Sequence, residues 1–157
     1  MGVAGSGKTT IGELLSARLR CTFLDGDSFH PTANIEKMSR GIPLTDEDRA
    51  PWLAAIHARI VEAFRRSEQL VIACSALKQR YRDALAREVA ITWVYLKGSA
   101  EMILGRLQTR SHHFMKAAML ASQIADLEEP KDAIVIDISA APAVAVQQIV
   151  SELATGS

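Results

Sequence analysis

The sequence predicts an α/β layer fold in which helices flank a parallel sheet. Three observations predict it. Residues Gly2, Val3, Ala4, Gly5, Ser6, Gly7, Lys8 and Thr9 spell G-x-x-x-x-G-K-T, a phosphate-binding loop, which is the turn between a buried parallel strand and a helix. Three apolar runs, at 70–74, 92–96 and 133–138, are continuous rather than alternating, as in strands covered on both faces. Stretches of charged, helical character separate them, at about 79–88, 100–110 and 116–128. With 157 residues and no repeat or long linker, the chain reads as one domain, residues 1–157, with a lid segment at about 106–128.

Each element has a local reason. In the loop, glycines let the backbone curl so that successive N–H groups face phosphate oxygens, and the helix behind adds its positive end. Gly2, Val3, Ala4, Gly5, Ser6, Gly7, Lys8, Thr9 and Thr10 are therefore the expected triphosphate cradle, with Lys8 on the outer phosphates and the Thr9 hydroxyl on magnesium. Ile11, Leu14, Leu15 and Leu19 give the following helix an apolar face. Only residues 1–3 precede the loop, too few for a central strand. The expectation is that the natural chain begins upstream or was trimmed, and that a chain starting at Met1 folds poorly because neighbouring strands lose backbone partners. Residues 22–24 are a short strand ending in Asp25, Gly26 and Asp27. Residues 28–50, with Pro31, Gly41 and Pro43, read as a substrate loop with short helical turns. Pro51 suits the first turn of a helix with a stripe of Leu53, Ile56, Ile60 and Phe64. Val146, Ile149, Val150 and Leu153 mark a closing helix.

Composition narrows the function. Lys plus Arg equals Asp plus Glu at 18 each, so no net field attracts nucleic acid or an anionic membrane. Aromatics at 5% argue against a single-strand stacking platform. No apolar run is long enough to span a bilayer and no leader precedes the loop, so the expected location is the cytoplasm. Cys21 and Cys74 lack metal spacing and read as reduced, structural thiols.

The chemistry-bearing residues gather where strands end. Asp25 and Asp27 follow the second strand beside the phosphate loop, where one carboxylate can hold magnesium and the other can take the proton of an attacking hydroxyl. Asp-Gly-Asp is also ordinary turn chemistry. The run at 70–74 ends in Cys74 and Ser75 rather than an aspartate, which leaves Asp25 to supply the metal's charge. His30, Asn34, Lys37, Arg49, Lys78, Arg80 and Arg82 are each ordinary surface residues alone. Together they supply the mixture that a small polyhydroxylated acid needs, with arginine suited to its carboxylate. Arg106 and Arg110 lie one helical turn apart before Ser111, His112, His113 and Phe114. They form either a solvated stripe or a lid that brings a cation to the transferring phosphoryl group, worth about 10³–10⁵ in rate.

The stretches MGVAGSGKTTIG, FLDGDSFHPTANIEKMSRGIPLTDEDRAPWL, ACSALKQRYRDAL, VYLKG and HFMKAAMLASQIADLEEP, in this order, resemble the gluconate kinases, phosphate-loop sugar-acid kinases built like shikimate and nucleoside-monophosphate kinases. The resemblance implies a P-loop kinase fold with a five-stranded parallel sheet. It also implies transfer from ATP to D-gluconate giving 6-phosphogluconate, with magnesium and usually a homodimer. Carried over by position, Lys8, Asp27 and Arg110 are catalytic, and Asp25 and Thr9 hold magnesium. Asp27, His30, Arg49, Lys78, Arg82 and His113 contact the sugar acid. His112 stands where the family has glycine, and 129–132 is shorter than usual near the adenine. The alternatives are a kinase of the same fold for another acid such as shikimate, and a nucleotide-binding protein without turnover.

Overall fold

The computed structural model describes residues 1–108 and 113–155, with side chains for 1–108 and 119–155. Four strands form two parallel pairs. β1 (Thr22–Asp25) runs beside β2 (Leu70–Ala73), with Thr22 opposite Leu70 and Asp25 opposite Ala73. β3 (Trp93–Lys97) runs beside β4 (Ala133–Asp137), with Trp93 opposite Ala133 and Lys97 opposite Asp137. Residues 1–3 join the pairs. The Met1 amine donates to Val94 O, Leu96 N–H donates to Met1 O at 3.0 Å, and Gly2 N–H donates to Ser75 O at 3.3 Å.

These three residues thus take the central place in the sheet, at the carboxyl ends of β2 and β3, and deliver the phosphate loop there. Below them a cleft of about 550 Å³ runs between β2 and β3, walled by Val71, Ala73, Trp93 and Val94 and floored by Leu15 and Ile149. Among the described residues, the backbone bonds across this seam are those of Met1 and Gly2.

Helices cover both faces. Neighbours on a strand point to opposite sides. On β3, Leu96 joins a core with Val3, Ile11, Ile136 and Ile149, whereas Tyr95 joins another with Trp52, Ile56, Cys74 and Leu85. The first core holds α1 (Lys8–Leu19) against α7 (Pro142–Thr155), together with α5 (Ala100–Gln108) and α6 (His113–Asp126). The second holds α3 (Asp46–Arg65) against α4 (Gln79–Ala86). α2 (Thr32–Ser39) follows a 3-10 turn at Gly26–Phe29.

Two local expectations are corrected. Pro51 lies inside α3 rather than opening it. Thr45 caps the helix, its hydroxyl accepting Asp48 N–H at 3.2 Å while Asp48 Oδ2 accepts Thr45 N–H at 2.9 Å. This reciprocal box and three acids in the first turn start the helix earlier than proline would, at the cost of one backbone bond. The apolar stripe also shifts. Trp52, Leu53, Ile56 and Ala63 are buried, and Phe64 stands 62% exposed.

Candidate active site

The phosphate loop wraps tightly onto the start of α1. Gly7, at φ 89°, caps the helix in a left-handed conformation that favours glycine. Ser6 is wholly buried, and its N–H donates to Val3 O at 3.3 Å. Lys8 Nζ bends back to donate to Val3 O at 2.8 Å. Burial pulls the Lys8 pKa down, opposed chiefly by the nearby Asp27 carboxylate. Ala4 N–H donates to Gln123 Oε1 of α6 at 2.6 Å.

Beside the loop, β1 ends on Asp25 and the 3-10 turn after it carries Asp27. Thr9 Oγ1 donates to Asp25 Oδ2 at 3.2 Å, and Asp25 Oδ1 accepts Asp27 N–H at 3.0 Å. The two residues expected at magnesium therefore touch, and Asp25 also sets the turn that presents Asp27 to solvent. Gly26 lets that turn close. A Cβ there would lie 2.7 Å from Ala73 O. Gly26 O accepts the Trp52 indole N–H at 2.7 Å, which ties the turn to α3.

A basic, aromatic corner faces the aspartates. His30 stacks on Trp52, with ring centroids 4.5 Å apart and planes 10° from parallel. Buried Asn34 donates to Asp48 O at 2.7 Å and from the same amide nitrogen to His30 Nδ1 at 3.3 Å. With Nδ1 accepting, Nε2 carries the proton and is a donor. Burial also lowers the His30 pKa, favouring this neutral form. Arg49, Lys78 and Arg80 each lie over the Tyr81 ring, at 5.6, 5.9 and 5.5 Å. Arg49 donates to Tyr81 Oη at 3.2 Å, and Tyr81 donates to Asp46, which also pairs with Arg80. Lys78 Nζ lies 3.2 Å from Asp126 Oδ1, with Arg49 4.0 Å from Oδ2. Lys37 is held by both oxygens of Asp48, at 2.7 and 2.8 Å.

Arg82 is a correction. Its side chain is 2% exposed and every donor is engaged. Nη1 donates to Ala76 O and Leu77 O, Nη2 to Glu128 O and Gln79 Oε1, and Nε to Gln79 Oε1. A guanidinium with five donors spent on the protein positions the Lys78 segment and does not reach a sugar acid. Arg82→Met should therefore lower stability by about 3 kcal/mol, by stranding three carbonyls. Urea unfolding measures it. A variant that unfolds like wild type but loses acid binding would return Arg82 to ligand duty. Arg106, the other arginine of the lid reading, donates to Ile138 O at 2.5 Å. Arg110 and the side chain of His113 lie outside the described residues, as does His112.

Sequence reasoning missed Tyr81, Gln123 and Asp126. A faint signal exists for the last two: Ser122, Gln123 and Asp126 are the polar positions in an otherwise apolar stretch at 117–127.

Residues 4–154 match the shikimate kinase family. The chain is 46% identical over 144 residues to the thermosensitive gluconokinase of Escherichia coli, covering 88% of this chain and 77% of that one. The chain belongs to the gluconokinase family of P-loop kinases. It is also 48% identical over 133 residues to the gluconokinase of Gluconobacter oxydans, covering 84% and 75% of the two chains. A solved gluconokinase from Sinorhizobium meliloti superposes with a TM-score of 0.89 at 40% identity, over 99% of this chain and 89% of that one. This agrees with the layer fold expected from the sequence.

Proposed function

We propose that this chain phosphorylates D-gluconate with ATP, giving 6-phospho-D-gluconate and ADP by direct in-line transfer. The reading is supported by two groups of side chains that end on the strand ends and helix starts around the phosphate loop. The phosphate loop and the Thr9–Asp25 pair form one group, and the Arg49–Lys78 corner forms the other, with Asp27 on the turn after β1. Gluconokinases at 46% and 48% identity support the choice of acid.

In this reading Lys8 and the loop N–H groups hold the phosphates, and Asp27 takes the proton of the 6-hydroxyl. His30 offers Nε2–H to a sugar hydroxyl, and Arg49 and Lys78 hold the carboxylate. By the family resemblance Arg110 serves the transferring group and His113 the acid. The Thr9 hydroxyl and Asp25 carboxylate are hard oxygen donors side by side, which fits magnesium, an ion that keeps several waters and shares the nucleotide's phosphates. Among the described residues no group of three or more His, Cys, Asp or Glu could hold a metal. Bound there, magnesium would neutralise charge on the phosphates. The family resemblance supports a homodimer in the cytoplasm, and no described helix is long and apolar enough to cross a membrane.

ADP release with ATP and magnesium, with and without D-gluconate and with shikimate as control, tests the proposal. Release should depend on gluconate. Shikimate-dependent release would move the chain to the other acid, and release with neither acid would leave nucleotide binding without transfer.

A further inference from the structure

Helix α6 places two polar side chains on the site, one helical turn apart. Gln123 accepts Ala4 N–H of the phosphate loop at 2.6 Å. Asp126, the last residue of α6, sets its carboxylate between Lys78, at 3.2 Å, and Arg49, at 4.0 Å. The chain directly after it is pinned to the start of α4. Glu128 N–H donates to Leu77 O at 2.9 Å, Glu128 O accepts from Arg82 at 2.9 Å, and Glu128 Oε2 accepts Gln79 N–H at 2.6 Å. Asp126 therefore sits at the joint between a fixed anchor and the helix that leads back to the lid segment.

Every cation at this corner already has an acidic partner. Arg80 and Tyr81 are spent on Asp46, and Lys37 on Asp48. Lys78 and Arg49 remain, and Asp126 already lies on both. A second carboxylate brought within about 4 Å of Asp126 would meet repulsion that cancels about one of the two attractions, so the acid binds best where Asp126 has moved away. We propose that Asp126 occupies the seat of the substrate's carboxylate, so that the sugar acid must exchange with it at Lys78 and Arg49. The exchange frees the end of α6 to turn about the anchored Glu128. This inference rests on the assignment of Arg49 and Lys78 to the acid made above.

Asp126→Asn, with nearly the same shape and no charge, tests the exchange. Removing a partly exposed competing ion pair should lower KM for D-gluconate by about two- to fivefold. KM for ATP should stay within about twofold, and Asp126→Glu should return toward wild type. A gluconate KM that is unchanged or raised in Asp126→Asn overturns the proposal, because a purely structural Asp126 would weaken or spare binding rather than tighten it. Should the asparagine variant fail to fold, Asp126→Ser carries the same test.

Turnover of gluconate by the wild-type chain separates the two claims. If wild type turns over no gluconate, the functional reading fails, and the seat is read with citrate as a generic carboxylate. Citrate should then raise the melting temperature more in Asp126→Asn than in wild type. Equal shifts in the two proteins overturn the exchange.

Discussion

Replacing Lys8 by alanine should reduce gluconate-dependent ADP formation by on the order of 10³-fold or more, effectively abolishing transfer. Two features make the loss so large. Lys8 is the one side-chain cation of the phosphate loop, and its burial places it where charge is weakly screened. Its ammonium also closes the loop by bonding Val3 O. Because the variant loses a strut as well as a charge, melting temperature must be read beside turnover. A fold that melts near wild type with turnover gone assigns the loss to the missing charge. Turnover within about tenfold of wild type would remove Lys8 from the reaction.

Asp27→Asn should lower kcat by about 10²–10⁴-fold while ATP binding stays near wild type. The structure separates the two aspartates by their partners. Asp25 is committed to Thr9 Oγ1 and to the Asp27 backbone, the work of a residue that shapes the turn and the metal edge. The Asp27 side chain is exposed, with Lys8 as its electrostatic neighbour. Asparagine keeps the shape of the 3-10 turn, since the bond that forms it uses the Asp27 N–H. Unchanged kcat with intact nucleotide affinity would exclude Asp27 as the base and leave the hydroxyl proton to another acceptor.

What the sequence made legible follows range of interaction. The phosphate loop, α1 and the apolar strands are written in short contiguous patterns, and they stand within a residue or two of their expected positions. The Thr9–Asp25 contact was also within reach, because a loop and the next strand's end must converge in a parallel sheet. Pro51 misled because a strong local preference for the first turn was outweighed by a capping box several residues earlier. Arg82 misled for a different reason. Its burial depends on Glu128, 46 residues downstream, and nothing near Arg82 distinguishes it from Arg80, which is exposed and paired with Asp46. Tyr81 and Asp126 were missed because the corner draws from α3, α4 and α6, a convergence that no spacing along one element encodes.

The seam between β2 and β3 gives the phosphate loop a second role, in cohesion. Each strand pair has its own ladder, but the pairs meet through Met1 and Gly2 and through helices packed across them, α1 against α7 above all. Among the described residues, the backbone bonds across the seam are those of Met1 and Gly2. The residues that span it lead directly into the loop, so a triphosphate gripped by the loop also clasps the two halves. Binding and sheet closure become one linked equilibrium, in which occupancy by nucleotide is itself a source of folding stability.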